Sequence, residues 1–164
     1  MMPQDINVSA AAVIEAALRS GAMVATAESC TGGLVSAALT GIAGSSAVLD
    51  RGFVTYSNEA KIELLGVSSE LLDQFGAVSE PVARAMALGA VSRSRGAASV
   101  SVTGVAGPGG GSVAKPVGLV HFAAVNPAGA VVHIERRFGD LGRDAVRLES
   151  VRVALGVLLQ AVTG

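Results

Sequence analysis

Ser29, Cys30 and Lys61 are the side chains of this sequence best suited to covalent chemistry. Residues 26 to 33 read Thr-Ala-Glu-Ser-Cys-Thr-Gly-Gly. An apolar run (Met23, Val24, Ala25) precedes them, and a helix-like stretch from Leu34 to Leu39 follows. That order reads as a strand, a tight turn and a helix start. The turn presents two nucleophiles, Ser29 and Cys30. The amides of Thr31, Gly32 and Gly33 fall in the first helical turn, where N–H groups lack an intrahelical acceptor. Such donors, with the positive end of a helix dipole, suit an oxyanion or a phosphate. The plainer alternative is a Ser N-cap followed by glycines that pack a helix closely on a sheet.

A serine nucleophile needs a base. The chain has two histidines. His121 sits in the apolar run from Gly118 to Val125 and reads as a core residue. His133 shares strand parity with Glu135 and Arg137 and is expected to face water. Neither falls at the carboxyl end of an expected strand, so a Ser-His-Asp triad is not expected. Lys61 is the leading candidate. It follows the strand ending near Tyr56 and lies about one turn into a helix starting near Ser57. The dipole there opposes its charge, and burial would lower its pKa until it can accept a proton. This is the Ser-Lys form of the triad logic. The alternative is an ordinary exposed lysine on a polar helix face.

Three further features stand at expected strand ends or a helix start. Tyr56, the only tyrosine, could reach a ligand with its hydroxyl or ring, or serve as a core or rim residue. The segment Thr103-Gly104-Val105-Ala106-Gly107-Pro108-Gly109-Gly110-Gly111 can wrap a ligand and donate amides to a phosphate. It lacks the Gly-Lys-Ser/Thr ending of a Walker A loop, and a flexible surface loop is the alternative. Arg143 opposes the dipole at its helix start. A ligand phosphate, Asp140 or Asp144 would account for it. Cys30 remains the rival nucleophile, because a helix start lowers a thiol pKa; a buried, inert cysteine is the alternative.

Composition narrows the class. The chain has 164 residues, a net charge of −1, 51% hydrophobic residues and 15% charged ones. This suits one folded domain spanning 1–164, with residues 1–8 expected to be flexible. Aromatics at 3% and the absence of a basic patch disfavour a nucleic-acid surface. No apolar run reaches about 18 residues, so no membrane span is expected. The N-terminus has no signal pattern. A single cysteine forms no intrachain disulfide and fits a cytosolic protein. Two His and one Cys, widely separated, make no zinc pattern.

The elements that must position these residues follow from periodicity and punctuation. Helices are expected at Ala10–Ser20 after a Ser9 cap, and at Thr31–Thr40. Two more follow Ser57 or Asn58, to Leu65, and Ser68, to Phe75. A fifth follows Ser79, to about Arg95, and the last spans Arg143–Val162. Strands are expected at Ala22–Ala27, Gly52–Tyr56, Ser99–Thr103, Val117–Val125 and Ala130–Phe138. The last two form a hairpin around Asn126-Pro127-Ala128-Gly129. The order predicts an α/β fold: three α/β/α layers, a mixed and mostly parallel sheet, a C-terminal hairpin and a closing helix. Ligands of such sheets bind at carboxyl strand ends.

Taken together, these segments resemble the CinA C-terminal domain family of nicotinamide-nucleotide amidohydrolases. The resemblance rests on Thr26-Ala-Glu-Ser-Cys-Thr-Gly-Gly33, Tyr56-Ser-Asn-Glu-Ala-Lys61, Leu64-Leu65-Gly66-Val67 and Gly76-Ala-Val-Ser-Glu80. It continues through Val102-Thr-Gly-Val-Ala-Gly-Pro-Gly-Gly-Gly111 and Lys115-Pro-Val-Gly118. It implies hydrolysis of the carboxamide of nicotinamide mononucleotide to nicotinate mononucleotide and ammonia. It also implies a catalytic pair, Ser29 and Lys61, with Tyr56 beside them. Thr31, Gly32, Gly33, Thr103, Gly104, Gly107 and Arg143 would bind substrate. No metal or organic cofactor is implied, and a homo-oligomer would fit. The alternative is a regulatory nucleotide-binding module of the same fold that has lost the chemistry. The chain departs from the family pattern at Ser112-Val113-Ala114 and at Gly139-Asp140-Leu141-Gly142-Arg143. Larger family members carry a further N-terminal domain resembling molybdopterin-cofactor proteins, which 164 residues are not expected to accommodate.

Overall fold

Residues Met1–Gly164 are described by a computed structural model. The elements run α1 (Gln4–Ser20), β1 (Val24–Glu28), α2 (Leu34–Thr40), β2 (Leu49–Val54), α3 (Asn58–Leu65) and α4 (Ser69–Phe75). They continue with α5 (Glu80–Ser92), β3 (Ala98–Gly104), β4 (Leu119–Val125), β5 (Val131–Arg137) and α6 (Arg143–Thr163). The five strands form one sheet in the order β2-β1-β3-β4-β5. β1 pairs in parallel with both β2 and β3, whereas β3–β4 and β4–β5 are antiparallel. Four strands therefore point one way and only β4 is reversed, as a hairpin following a βα series requires.

Helices cover both faces, giving the three expected layers. The larger core joins α1, α2 and α6 to one face through Ile6, Val13, Val100, Phe122, Val151 and Leu155. The other joins α3, α4 and α5 to β1 through Ala25, Ala27, Leu65, Val82 and Met86. Small side chains let these helices sit close. At Gly89 a Cβ would stand only 2.1 Å from the Leu65 carbonyl oxygen, so α5 meets the end of α3 backbone to backbone. α5 is also fastened to β3 by hydroxyls. Ser99 Oγ donates to Ala87 O (2.7 Å) and Ser101 Oγ to Ala83 O (2.6 Å). Thr103 Oγ1 donates to Ala77 O (2.8 Å), just before the helix.

The helix caps follow the sequence closely. Ser57, Ser68 and Ser79 accept from the backbone N–H of Ala60, Leu71 and Val82. Two helix starts differ. α1 begins at Gln4 after Pro3, so residues 4–8 are helical, and Ile6 is fully buried. Ser9 is no cap: its hydroxyl turns back to Asp5 O within the helix. α2 begins at Leu34, leaving Thr31 to Gly33 as a turn, with Gly33 in the N-cap position.

Candidate active site

A cavity of about 290 Å³ opens where β1, β2 and β3 end. Two bonds carry the strand ladders one residue further and so fix its floor. Ser29 N donates to Val102 O (2.9 Å), and Thr55 N donates to Glu28 O (2.8 Å). Ser29 thus leaves β1 in line with the ends of both neighbouring strands.

Ser29 and Lys61, separated by 32 residues, meet here. Lys61 Nζ lies 3.1 Å from Ser29 Oγ and donates to the Thr55 carbonyl at 2.8 Å. β2 lies beside β1, and the short turn after it returns as α3, so Lys61, on the first turn of α3, points back across the end of β1. The lysine is 1% exposed. Burial lowers its pKa, because a desolvated ammonium is disfavoured; the Cys30 thiol opposes this weakly. No carboxylate pairs with it, and its two hydrogen-bond partners are the Ser29 hydroxyl and a carbonyl.

Cys30 behaves oppositely. It is buried against the core, and burial pushes its thiol pKa up to about 12, with the Glu28 charge adding to the rise. A thiol held protonated is a poor nucleophile. Of the two readings of Cys30, the buried cysteine is the one that fits its surroundings.

The expected oxyanion donors are also placed differently. Thr31, Gly32 and Gly33 are absent from the cavity lining. Gly32 N donates to Ser29 O, and Leu34 N to Thr31 O. The next amides, Val35 N and Ser36 N, donate to the Glu28 carboxylate at 2.8 and 3.0 Å. The positive end of α2 is thus directed at a side chain of the protein.

The remaining expected residues do line the cavity. Thr103, Gly104 and Gly107 form one wall, where the Gly-rich segment folds over the end of β3. Gly107 has φ +82°, and a Cβ there would stand 2.6 Å from Val117 Cγ1. Only glycine suits this bend. Arg143, at the first turn of α6, donates from Nη1 to Gly107 O and from Nη2 to the Tyr56 hydroxyl, both at 2.8 Å. Its partners are these neutral groups and neither Asp140 nor Asp144, so its charge stays available to an anion. Tyr56 stands exposed at the rim.

Neither histidine reaches the cavity. His121 is buried, as expected. His133 does not face open water: α5 covers that side of β5, and its ring is only 12% exposed. Its Nε2 lies 2.9 Å from His121 Nδ1, and its Nδ1 lies 3.6 Å from Glu80. Burial is the leading cause of a lowered pKa at both rings.

Sequence reasoning passed over several lining residues. Asn58 opens α3, and Ala77 with Val78 leads into α5. All three fall inside quoted motifs, which was the available signal. Glu28 was also missed, because its role as a cap reaches seven and eight residues ahead, beyond local capping patterns.

The model of the CinA C-terminal domain family matches residues 7–162. The chain belongs to the CinA C-terminal domain family. Among its relatives is the protein named nicotinamide-nucleotide amidohydrolase PncC of Enterobacter agglomerans. The two are 53% identical over 149 residues, covering 90% of each chain. The PncC of Escherichia coli K12 is 54% identical over 141 residues, 85% of this chain and 84% of its own. A CinA-like protein of Mycolicibacterium vanbaalenii is 50% identical over 149 residues, which make up 91% of this chain but 35% of that protein. Among solved structures, the competence/damage inducible protein CihA of Agrobacterium tumefaciens superposes with a TM-score of 0.96. It is 56% identical and covers 98% of both chains. No helix is long and apolar enough to cross a membrane.

Proposed function

We propose that this chain, acting as one unit, hydrolyses the carboxamide of nicotinamide mononucleotide, releasing ammonia and nicotinate mononucleotide. The observation that carries the reading is the contact between Ser29 Oγ and the buried Lys61 Nζ at 3.1 Å. The names of the PncC relatives supply the substrate. A module that had lost the chemistry would have no use for an unpaired lysine buried against a serine.

In this reading Lys61 is neutral in the free enzyme. One N–H stays on the Thr55 carbonyl, which leaves the nitrogen lone pair free to accept from Ser29. Ser29 Oγ attacks the amide carbon while its proton passes to Lys61 Nζ. The resulting ammonium returns that proton to the departing nitrogen, the C–N bond breaks, and ammonia leaves an acyl-serine. Water then adds to the ester while Lys61 again takes a proton. The acyl–Oγ bond breaks as Lys61 returns that proton to Ser29 Oγ, restoring the free enzyme and releasing the acid, which ionises to the carboxylate product. Arg143 and the Gly107 loop bind the substrate phosphate.

Ammonia release measured with purified protein tests this. Nicotinamide mononucleotide should be turned over, free nicotinamide should not, and the riboside lacking phosphate should react far less well. Ser29→Ala should lose on the order of 10³-fold or more in kcat, whereas Cys30→Ala keeps most of it. Absence of ammonia, or the opposite ranking of the two variants, refutes the reading.

A further inference from the structure

Two ionic side chains outside the cavity hold the turn that carries Ser29. Glu28 is fully buried, and its carboxylate accepts four hydrogen bonds. Thr31 Oγ1 and Val35 N donate to Oε1 at 2.7 and 2.8 Å, and Ser36 N and Oγ donate to Oε2 at 3.0 and 3.1 Å. The Ser36 hydroxyl is itself steadied by Thr26 Oγ1 at 2.6 Å. Gly52 of β2 leaves the room for it, since a Cβ there would stand 2.1 Å from Ser36 Oγ. From the other side comes Arg147 of α6. Its Nε donates to Cys30 O and its Nη2 to Thr31 O, both at 3.1 Å. One side chain gathers the donors of the turn and the other gathers its carbonyls.

We propose that Glu28 and Arg147 are positioning residues of the deamidation, an ionic clamp that holds Ser29 Oγ in line with Lys61 Nζ. The proposal rests on the Ser29–Lys61 reading of the site. Their bonds end on Cys30 and Thr31, which directly follow Ser29, and on Val35 and Ser36 in the first turn of α2. The seven-residue α2 that follows is too short to fix its own first turn. The Ser29–Lys61 contact joins two separate elements, so a drift of the turn by about 1 Å is enough to break it. Misplacement on that scale costs about 10²-fold in rate. A half-buried arginine on two carbonyls and a buried carboxylate on four donors are charge-assisted bonds, the kind that hold geometry against such drift.

The test uses the full chain carrying Arg147→Met, which keeps the apolar stem, and separately Glu28→Gln. Both should lower kcat for nicotinamide mononucleotide by about 10- to 100-fold. KM and the affinity for nicotinate mononucleotide should stay within about twofold, because neither residue touches the cavity. Turnover is expressed per folded molecule, so a variant that is merely less stable shows no fall. Arg147→Met decides the matter if Glu28→Gln does not fold. An independent readout follows the Lys61 side chain by NMR titration, with Cys30 as its only titratable neighbour. Loosening of the turn admits water, so the Lys61 pKa should rise toward its free value. If wild-type protein releases no ammonia, the functional reading fails, and the Lys61 titration still decides the clamp. Unchanged kcat per folded molecule, a rise in KM alone, or identical Lys61 titration in wild type and variant overturns the proposal.

Discussion

At the scale of the residue, the two candidate nucleophiles are adjacent in sequence and opposite in character. Ser29 and Cys30 both border the cavity, but Ser29 Oγ meets a buried amine, whereas the nearly buried Cys30 thiol has its proton held. Lys61 carries the sharpest expectation. Its pKa is lowered by burial, so activity should be low where the ammonium persists and rise with pH as the lone pair is freed. The kcat/KM profile should show one basic limb, with its midpoint below the ordinary lysine value of about 10.4. Lys61→Arg keeps the charge but never yields the proton, so it should be nearly inactive at every pH. Near-normal turnover in that variant would remove Lys61 as the base. Ser29 and Lys61 were legible as types at expected strand ends. Their 3.1 Å contact was not, because it depends on β2 lying next to β1. Nor was the direction taken by the first amides of α2, which a carboxylate from the preceding strand captures.

At the scale of the element, serine caps and glycine stops were legible because their bonds are local. Ser57, Ser68 and Ser79 each act within three residues. The start of α1 was not legible, since no polar cap marks it and Ser9 mimics one. That helix is fixed by tertiary burial of Ile6 and Ala10. The inward turn of His133 escaped for the same reason: strand parity gives a face but not what covers it. The close approach of α5 to α3 leads to a stability prediction. A methyl at Gly89 would stand 2.1 Å from the Leu65 carbonyl, a backbone atom that no rotamer change can move. Gly89→Ala should cost about 1–3 kcal/mol despite its better helix propensity. Urea denaturation would show this as a lower midpoint at unchanged slope. A midpoint equal to wild type would mean that the two helices part without penalty.

At the scale of the whole molecule, the α/β/α layering was legible from the alternation of elements, and the single reversed strand from the late hairpin. The cavity has no local existence. Its lining comes from Ser29, from Tyr56 to Lys61, from Ala77 and Val78, from the Gly-rich segment and from Arg143. A ligand that needs all of these binds only the folded chain. Nicotinate mononucleotide at about 100 times its Kd should therefore stabilise the fold by about 2.7 kcal/mol. That is a rise of about 5–10 °C in Tm for a chain of this size. A Tm that does not move at concentrations inhibiting turnover would refute preferential binding of the product to the folded chain.

The reversed strand has a consequence for how such a protein diversifies. Because β4 runs against β3, the Gly-rich segment leaves the sheet and rejoins it at the same end. Its two feet are pinned to each other, Val105 N on Leu119 O and Gly118 N on Val105 O. Insertions or deletions between those feet would shift no strand register, and each doubling of loop length adds only about 0.6 kcal/mol of closure entropy. Ser29 and Lys61 hang from different crossovers and would not feel the change. Lineages of this fold are thus free to explore new substrate shapes by indels in one segment while inheriting the reaction intact.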